Sequence, residues 1–417
     1  MPENFHIDMP EAVRNIIHTI EEHGFKAYAV GGCIRDSILG RNPDDWDITT
    51  SAVPSQIKTF FKRTIDTGIV HGTVTVMVNK TGYEVTTYRI DGEYEDGRHP
   101  KSVEFSDRLV DDLCRRDFTI NAMAYNDTDG FVDEFKGLDD LDTKIIRCVG
   151  EPELRFTEDA LRMMRAIRFS AQLGFTIDEA TWNAIKKLSP SISKISMERV
   201  HVELGKTLMS AHPDYVAQYS EAGLFAPILP VIDNALKSRY KRKILATLQH
   251  TPDNIYLRYA ALFITSTPDE AAKTLRALKL DNKTVNTVSK LVELSKMDIE
   301  ETEPAVRTAL NKYGRDFLTL WHELMMAVIQ ASEDITGISN PAKVKHLLTL
   351  KRLGTDILAR GDCFTIKDLD ISGNDLIEYG LQGHEIGETL KSLLDIVIEN
   401  PKLNDKATLI AMIEHIK

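Results

Sequence analysis

The sequence predicts an α+β protein, with a small mixed α/β head over residues 1–145 followed by an all-helical remainder. Short β-like runs are confined to the front third, and long helical patterns succeed one another from about residue 152. Charge divides at the same place: residues 1–145 carry 16 basic and 27 acidic side chains, whereas 146–417 carry 35 and 36.

Taken in order, residues 11–23 place Val13, Ile16, Ile17 and Ile20 at helical spacing, and Gly24 supplies a stop. Lys26–Val30, Trp46–Thr49, Val74–Val78 and Tyr83–Ile90 read as strands. Asn79–Gly82 is a hairpin connection in composition, and Asp127–Gly130 is a second, between Ala122–Tyr125 and Phe131–Phe135. Glu158–Leu173, Met197–Met209, Tyr256–Ser266 and Asp316–Ser332 read as helices, with no repeat of fixed period. Leu229-Pro230 and Ser339-Asn340-Pro341 are candidate joints.

The chain has 417 residues, 42% hydrophobic and 27% charged, which excludes disordered and collagenous classes. A net charge of −12 argues against indiscriminate coating of nucleic acid but leaves room for a local basic surface. Four cysteines lie far apart with no CxxC pair, so zinc and a disulfide framework are not expected. The N-terminus lacks the basic start and apolar run of a signal peptide, and His322 and Glu323 interrupt the most apolar stretch. No membrane span is expected, and the cytoplasm is the expected compartment.

The densest constellation is Ala29–Ile48. A strand ends at Val30, Gly31-Gly32 turn the chain, and a short helix carries Arg35-Asp36. Glycines there let backbone N–H groups approach a phosphate, and Arg35 adds a guanidinium. Taken alone this is also an ordinary strand–turn–helix. Asp45-Trp46-Asp47 changes the reading, because on a strand residues i and i+2 share a face and the two carboxylates converge. Paired like charges are costly unless they bind a cation, and hard oxygen ligands suit Mg²⁺. Asp45 and Asp47 are therefore the expected metal ligands and catalytic carboxylates. Glu84, in a β-like run, is a candidate third carboxylate or a plain cross-strand partner.

Arg115-Arg116-Asp117-Phe-Thr-Ile-Asn121 would suit a ribose and its phosphates, with Asp117 at an N-cap and Asn121 one turn on. The bare pattern fits a capped helix with a solvated basic pair equally well. The helix from Glu158 puts Asp159, Arg162, Arg165 and Arg168 along one stripe. Three arginines on one stripe repel each other, which is odd for a purely structural face. A nucleotide removes the oddity. Cytosine and adenine both present an amino donor beside a ring-nitrogen acceptor, so one carboxylate plus one guanidinium suits C and A and mismatches U and G. Arg165 and Arg168 then remain for the triphosphate.

With these residues in hand, the sequence resembles the class II tRNA nucleotidyltransferases, the family of CCA-adding enzymes and bacterial poly(A) polymerases. Gly31–Asp36 with Asp45–Asp47 resembles its metal and triphosphate motif, and Arg115–Ala122 its ribose motif. Asp133–Asp140 resembles the hinge motif, Glu158–Arg162 the base-selecting motif, and Glu198–Leu204 the motif that braces the neck. The resemblance implies Mg²⁺ on Asp45 and Asp47. It also implies nucleotide contacts from Gly32, Arg35, Arg116, Asp159, Arg162, Arg165 and Arg168. It further implies a head (1–145), a helical neck (146–210), and a helical body and tail (211–417) that bind tRNA. The run Lys237-Ser-Arg239-Tyr-Lys241-Arg242-Lys243 is the candidate for phosphate contact, although such a run also describes an exposed helix face.

Two departures narrow the expectation. No His-Asp dipeptide occurs, so the phosphohydrolase domain fused to some family members is not expected. Asp91–Pro100 matches the family's flexible loop, whose presence favours A addition. The expected activity is untemplated addition of C and A to the 3′ end of tRNA from CTP and ATP, with release of pyrophosphate. A-only addition or poly(A) synthesis is the near rival. A DxD glycosyltransferase is the distant one, and it gives the arginine stripe no role.

Overall fold

The computed structural model describes residues 6–92 and 103–416. It divides into two compact units, with the boundary after Pro230.

The first unit opens with helix α1 (Glu11–Glu22), which buries the predicted stripe of Val13, Ile16, Ile17 and Ile20. Nine strands follow among the described head residues: β1 (Ala27–Val30), β2 (Asp47–Thr50), β3 (Thr64–Gly68), β4 (Thr73–Val78), β5 (Thr81–Thr87), β6 (Arg89–Asp91), β7 (Val103–Phe105), β8 (Ala124–Asn126) and β9 (Gly130–Val132). Seven of them form one sheet in the order β3-β4-β5-β2-β1-β8-β9, and β6 and β7 pair apart from it. All four residues of β1 are buried, as an apolar central strand requires. Helices α2 (Gly32–Ile38), α3 (Pro54–Phe60), α4 (Leu109–Cys114) and α5 (Gly137–Asp142) complete the head.

The β4–β5 connection is tighter than the composition suggested. Only Asn79 and Lys80 lie between the strands, both with positive φ (49° and 71°), which is the two-residue turn that matches strand twist. The edge strand β3 escaped the sequence reading because its middle residues are solvent-exposed and show no apolar alternation. The predicted loop Asp91–Pro100 falls outside the described residues from Glu93 onward.

Beyond the head, α6 (Pro152–Glu158), α7 (Leu161–Leu173), α8 (Glu179–Leu188) and α9 (Met197–Leu208) form a helical layer. One correction applies here: a two-residue strand, Thr176–Ile177, pairs in parallel with Ile145–Ile146. The β signal therefore does not end at residue 152. A strand of two residues carries too little pattern to be read from sequence.

The second unit is helical throughout its described residues. Its longest members are Phe317–Thr336 and Pro341–Arg360, 20 residues each. Leu376, Leu393, Leu394, Val397, Leu409 and Ile413 form a buried cluster near its end. No described helix is long and apolar enough to cross a membrane.

Candidate active site

β1 delivers the chain to Gly31, whose φ of 87° is a conformation that side-chain-bearing residues avoid. A Cβ there would lie 2.8 Å from Arg116 Nη1, so glycine is needed for space as well as for geometry. Gly32 starts α2, and Arg35 on that helix is buried.

Beside this turn, β2 pairs antiparallel with β1. Trp46 is buried just ahead of β2, while Asp45 and Asp47 on either side of it are exposed. The strand itself begins at Asp47, so Asp45 precedes it rather than lying on it. The alternation still turns both carboxylates to the opposite side from the indole.

β5 runs parallel to β2 with Ile48 opposite Val85, which brings Glu84 alongside Asp47. No described side chain makes an ion pair with Asp45, Asp47 or Glu84. Desolvation by surrounding protein, with the Asp45 charge beside it, pushes the Asp47 carboxyl above the ordinary carboxylate range, against the pull of Arg116. Desolvation and the charges of Asp47 and Asp45 raise Glu84 likewise. Three unpaired, mutually repelling oxygen donors suit a hard divalent cation. Among the described residues, however, no group of three His, Cys, Asp or Glu side chains is close enough to hold a metal unaided. Asp45 and Asp47 therefore fit Mg²⁺ in the manner of a site completed by phosphate oxygens and water.

The arginine motif takes a shape the sequence did not predict. Arg115 and Arg116 follow α4, and the predicted helix after them is only a 3-10 turn, Thr119–Asn121. Asp117 caps no helix. Its Oδ1 accepts from the Phe118 backbone N–H at 2.9 Å and from Asn121 Nδ2 at 3.1 Å. Its Oδ2 accepts from Arg165 Nε at 2.8 Å. Burial alone would raise the Asp117 carboxyl, but the Arg165 and Asn121 contacts hold it well below the usual range.

From there a continuous network spans the unit. Arg35 Nη1 donates to Asn121 Oδ1 at 2.6 Å, and Arg35 Nε and Nη2 hold Asp36 at 3.0 and 2.8 Å. On the other side of Asp117, Arg165 reaches towards Glu203 of α9, which accepts from Arg168 Nε at 2.5 Å. The Phe169 ring lies beneath three guanidinium carbons, Arg35, Arg165 and Arg168, at 5.1, 5.3 and 3.9 Å from its centroid. Such stacking is favourable for each cation.

The stripe reading of residues 159–168 needs correction. Asp159 has extended backbone (φ −143°, ψ 105°) in the break between α6 and α7, so it precedes the helix that carries the arginines. It is paired bidentately with Arg199 of α9, at 2.7 and 3.3 Å. The expected repulsion among the arginines is relieved without a nucleotide. Arg162 pairs with Glu158, Arg165 with Asp117 and Arg168 with Glu203. Each carboxylate comes from a different element; the Glu158 pair is local, at i,i+4, but Asp117 and Glu203 are partners that one-helix reasoning could not supply.

Comparison with known proteins bears on what this arrangement does. Residues 27–147 match the poly A polymerase head domain, 174–236 the probable RNA- and SrmB-binding site of polymerase A, and 253–413 the putative tRNA nucleotidyltransferase domain 2. A CCA-adding enzyme of Pediococcus pentosaceus is 34% identical over 98% of this chain and 98% of its own. One of Limosilactobacillus fermentum is 36% identical over 96% and 95%. The chain belongs to the CCA-adding enzyme family. It is a nucleotidyltransferase. The solved CCA-adding enzyme of Bacillus stearothermophilus, in complex with CTP, superposes with a TM-score of 0.75 at 32% identity, covering 97% of this chain and 96% of that one.

Against that family background, two residues at the site went unread in the sequence, Asp112 and Phe169, while Arg199 and Glu203 were read only as part of the Glu198–Leu204 bracing motif and not as partners of Asp159 and Arg168. The only local signal of Asp112 and Phe169 was position within or next to the arginine-bearing segments.

The basic run of the second unit is also rearranged. Lys237 closes the helix Pro230–Lys237 and pairs with Asp233 at 2.8 Å, Arg239 stacks on Tyr240, and Lys241 opens the helix Lys241–His250. The run therefore spans a helix–turn–helix joint and does not form one helix face. Arg242 and Lys243 are exposed.

Proposed function

We propose that this chain rebuilds the 3′ terminus of tRNA, adding C and A from CTP and ATP without a template and releasing pyrophosphate. Asp45 and Asp47, exposed on either side of buried Trp46 next to a glycine turn lined by Arg116, are the observation that carries this reading. The two aspartates would hold Mg²⁺, which when bound would supply activation of the attacking 3′ hydroxyl and charge stabilisation of the leaving pyrophosphate. Glu84 adds negative charge beside them without completing a ligand set.

Gly31 and Gly32 open the turn to the triphosphate, and Arg116 with Arg35 supplies cationic donors there. Asp117 and Asn121 shape the ribose side while tying Arg35 to Arg165. Asp159 and Arg162 read the base edge, accepting from the exocyclic amino group and donating to the ring nitrogen shared by C and A. Arg168, buried against Phe169 and Glu203, braces that helix. We read the chain as a head over 1–145, a neck over 146–210 and a tRNA-binding body and tail over 211–417. Arg242 and Lys243 are the candidate phosphate contacts in the last of these, with Lys237, Arg239 and Lys241 nearby. The compartment this reading fits is the cytoplasm.

The test supplies purified protein and Mg²⁺ with tRNAs ending before CCA, after C and after CC, and CTP alone, ATP alone or both. Extension of all three to CCA and no further is expected. Extension of the CC-ended tRNA alone would reduce the activity to A addition, and long A tails on unrelated RNA would replace it with poly(A) synthesis.

A further inference from the structure

Asp112 is fully buried at the middle of α4, a place where an isolated carboxylate is costly. It is not isolated. Its Oδ1 accepts from Arg115 Nε and Nη2 at 2.9 and 2.6 Å. Its Oδ2 accepts from Arg116 Nη2 at 3.2 Å and from Thr49 Oγ1 at 3.1 Å. The two arginines pull the carboxyl below its ordinary range despite its burial.

The partners lie on either side of the chemistry. Thr49 sits two residues beyond Asp47 on the same face of β2. Arg116 presses its Nη1 against Gly31 in the glycine turn, and its Nε is buried with no partner among the described residues. An orphan donor so placed costs free energy unless something accepts from it. The guanidinium is thus held through Nη2 on Asp112 while its Nη1 lies beside the turn.

We propose that Asp112 is a positioning residue that aims Arg116 at the triphosphate and fixes its distance from the strand carrying Asp47. The inference rests on the nucleotide-transfer reading given above. Asp112 touches no substrate. It acts through Arg116, whose long side chain would otherwise lose much of its orientation to rotamer freedom. A fixed carboxylate removes that freedom before the nucleotide arrives, so the benefit appears in nucleotide binding more than in turnover.

The experiment measures CTP kinetics and competitive inhibition by inorganic tripolyphosphate for wild type, Asp112→Asn, Arg116→Ala and the double variant. Asp112→Asn is expected to raise both the KM for CTP and the Ki of tripolyphosphate about tenfold, with a much smaller change in kcat. In the Arg116→Ala background the same substitution is expected to change neither further, because its effect runs through that guanidinium. If Asp112→Asn lowers the melting temperature but leaves both constants at wild-type values, the carboxylate is structural only and the inference is overturned. Equal effects with and without Arg116 would overturn it too. If Asp112→Asn does not fold, Thr49→Val, which removes one bond to Oδ2, carries the same comparison with an expected two- to threefold rise, roughly. A wild-type enzyme that incorporates no nucleotide would instead sink the activity on which the inference rests, a result distinguishable from either failure.

Discussion

Asp159 and Arg199 are joined by two hydrogen bonds, at 2.7 and 3.3 Å, across 40 residues of chain. The carboxylate proposed to read the base is therefore held by a helix other than the one that carries Arg162. Arg199→Met should leave Asp159 free to rotate. Misincorporation of UTP and GTP on a CC-ended tRNA is expected to rise by about tenfold, while ATP incorporation falls less. Single-nucleotide incorporation with each triphosphate in turn checks this. Asp159→Ala should cost more discrimination than Arg199→Met, because it removes the acceptor itself.

Asp45→Ala and Asp47→Ala should each reduce incorporation by about a thousandfold or more, since each removes a proposed ligand of the metal. tRNA binding, followed by filter retention, should remain near wild type. Retained activity in either variant would assign the metal elsewhere. Glu84→Gln, which leaves both aspartates in place, is expected to cost much less.

The same carboxylates set a pH dependence of stability. Desolvation and mutual repulsion raise Asp47 and Glu84 in the folded state. A folded carboxyl with a raised pKa binds its proton more tightly than the unfolded chain does. Its stabilising effect is present at acid pH and lost as pH rises through the raised value. Glu84→Gln or Asp47→Asn should therefore raise the melting temperature of the metal-free protein at neutral pH. That gain should close as pH falls below about 4, where the unfolded carboxyls are protonated too. Thermal melts in a chelator across pH 3–8, roughly, measure it, and a gain that grows towards acid would contradict the assignment.

Gly31→Ala adds one methyl group in a positive-φ turn, 2.8 Å from Arg116 Nη1. Both the backbone and the guanidinium must shift. The KM for CTP is expected to rise about tenfold or more, with an accompanying loss of about 1–2 kcal/mol of stability from the backbone term alone. Denaturant titration and steady-state kinetics on one preparation separate the two effects.

Thiol reactivity reports on the head without reference to catalysis. Cys33 lies buried in α2, and that burial pushes its thiol up to about 12, while Cys148 and Cys363 are buried as well. Only Cys114 is exposed. An aromatic disulfide reagent should modify one thiol per native chain quickly and all four after unfolding.

Much of the head was legible because its signals are local. The stripe of α1, the four buried residues of β1 and the glycine turn each announce themselves within a few positions. So did the aspartates around Trp46, since alternation needs only neighbours. What was missed depends on partners distant in sequence. Helical periodicity runs unbroken through Glu158, Asp159 and Ala160, and the break there comes with the Arg199 pair, 40 residues on. Asp112 reads as one more acid in an acidic segment until Thr49, 63 residues earlier, is seen beside it. The run from Lys237 to Lys243 looked like one face because Ser238 and Tyr240 give no strong stop signal.

The pairing of Arg162, Arg165 and Arg168 with three separate carboxylates has a consequence for the order of arrival. With those cations paired in advance, Asp45, Asp47 and Glu84 stand without an ion-pair partner among the described residues, and Arg116 is the cation that acts on Asp47. A bare triphosphate approaching that trio meets repulsion, whereas one already wrapped around a divalent ion carries its own counter-charge. On the proposed reading the nucleotide and its metal dock as one package, and triphosphate in excess of the metal is a poor ligand rather than a better one.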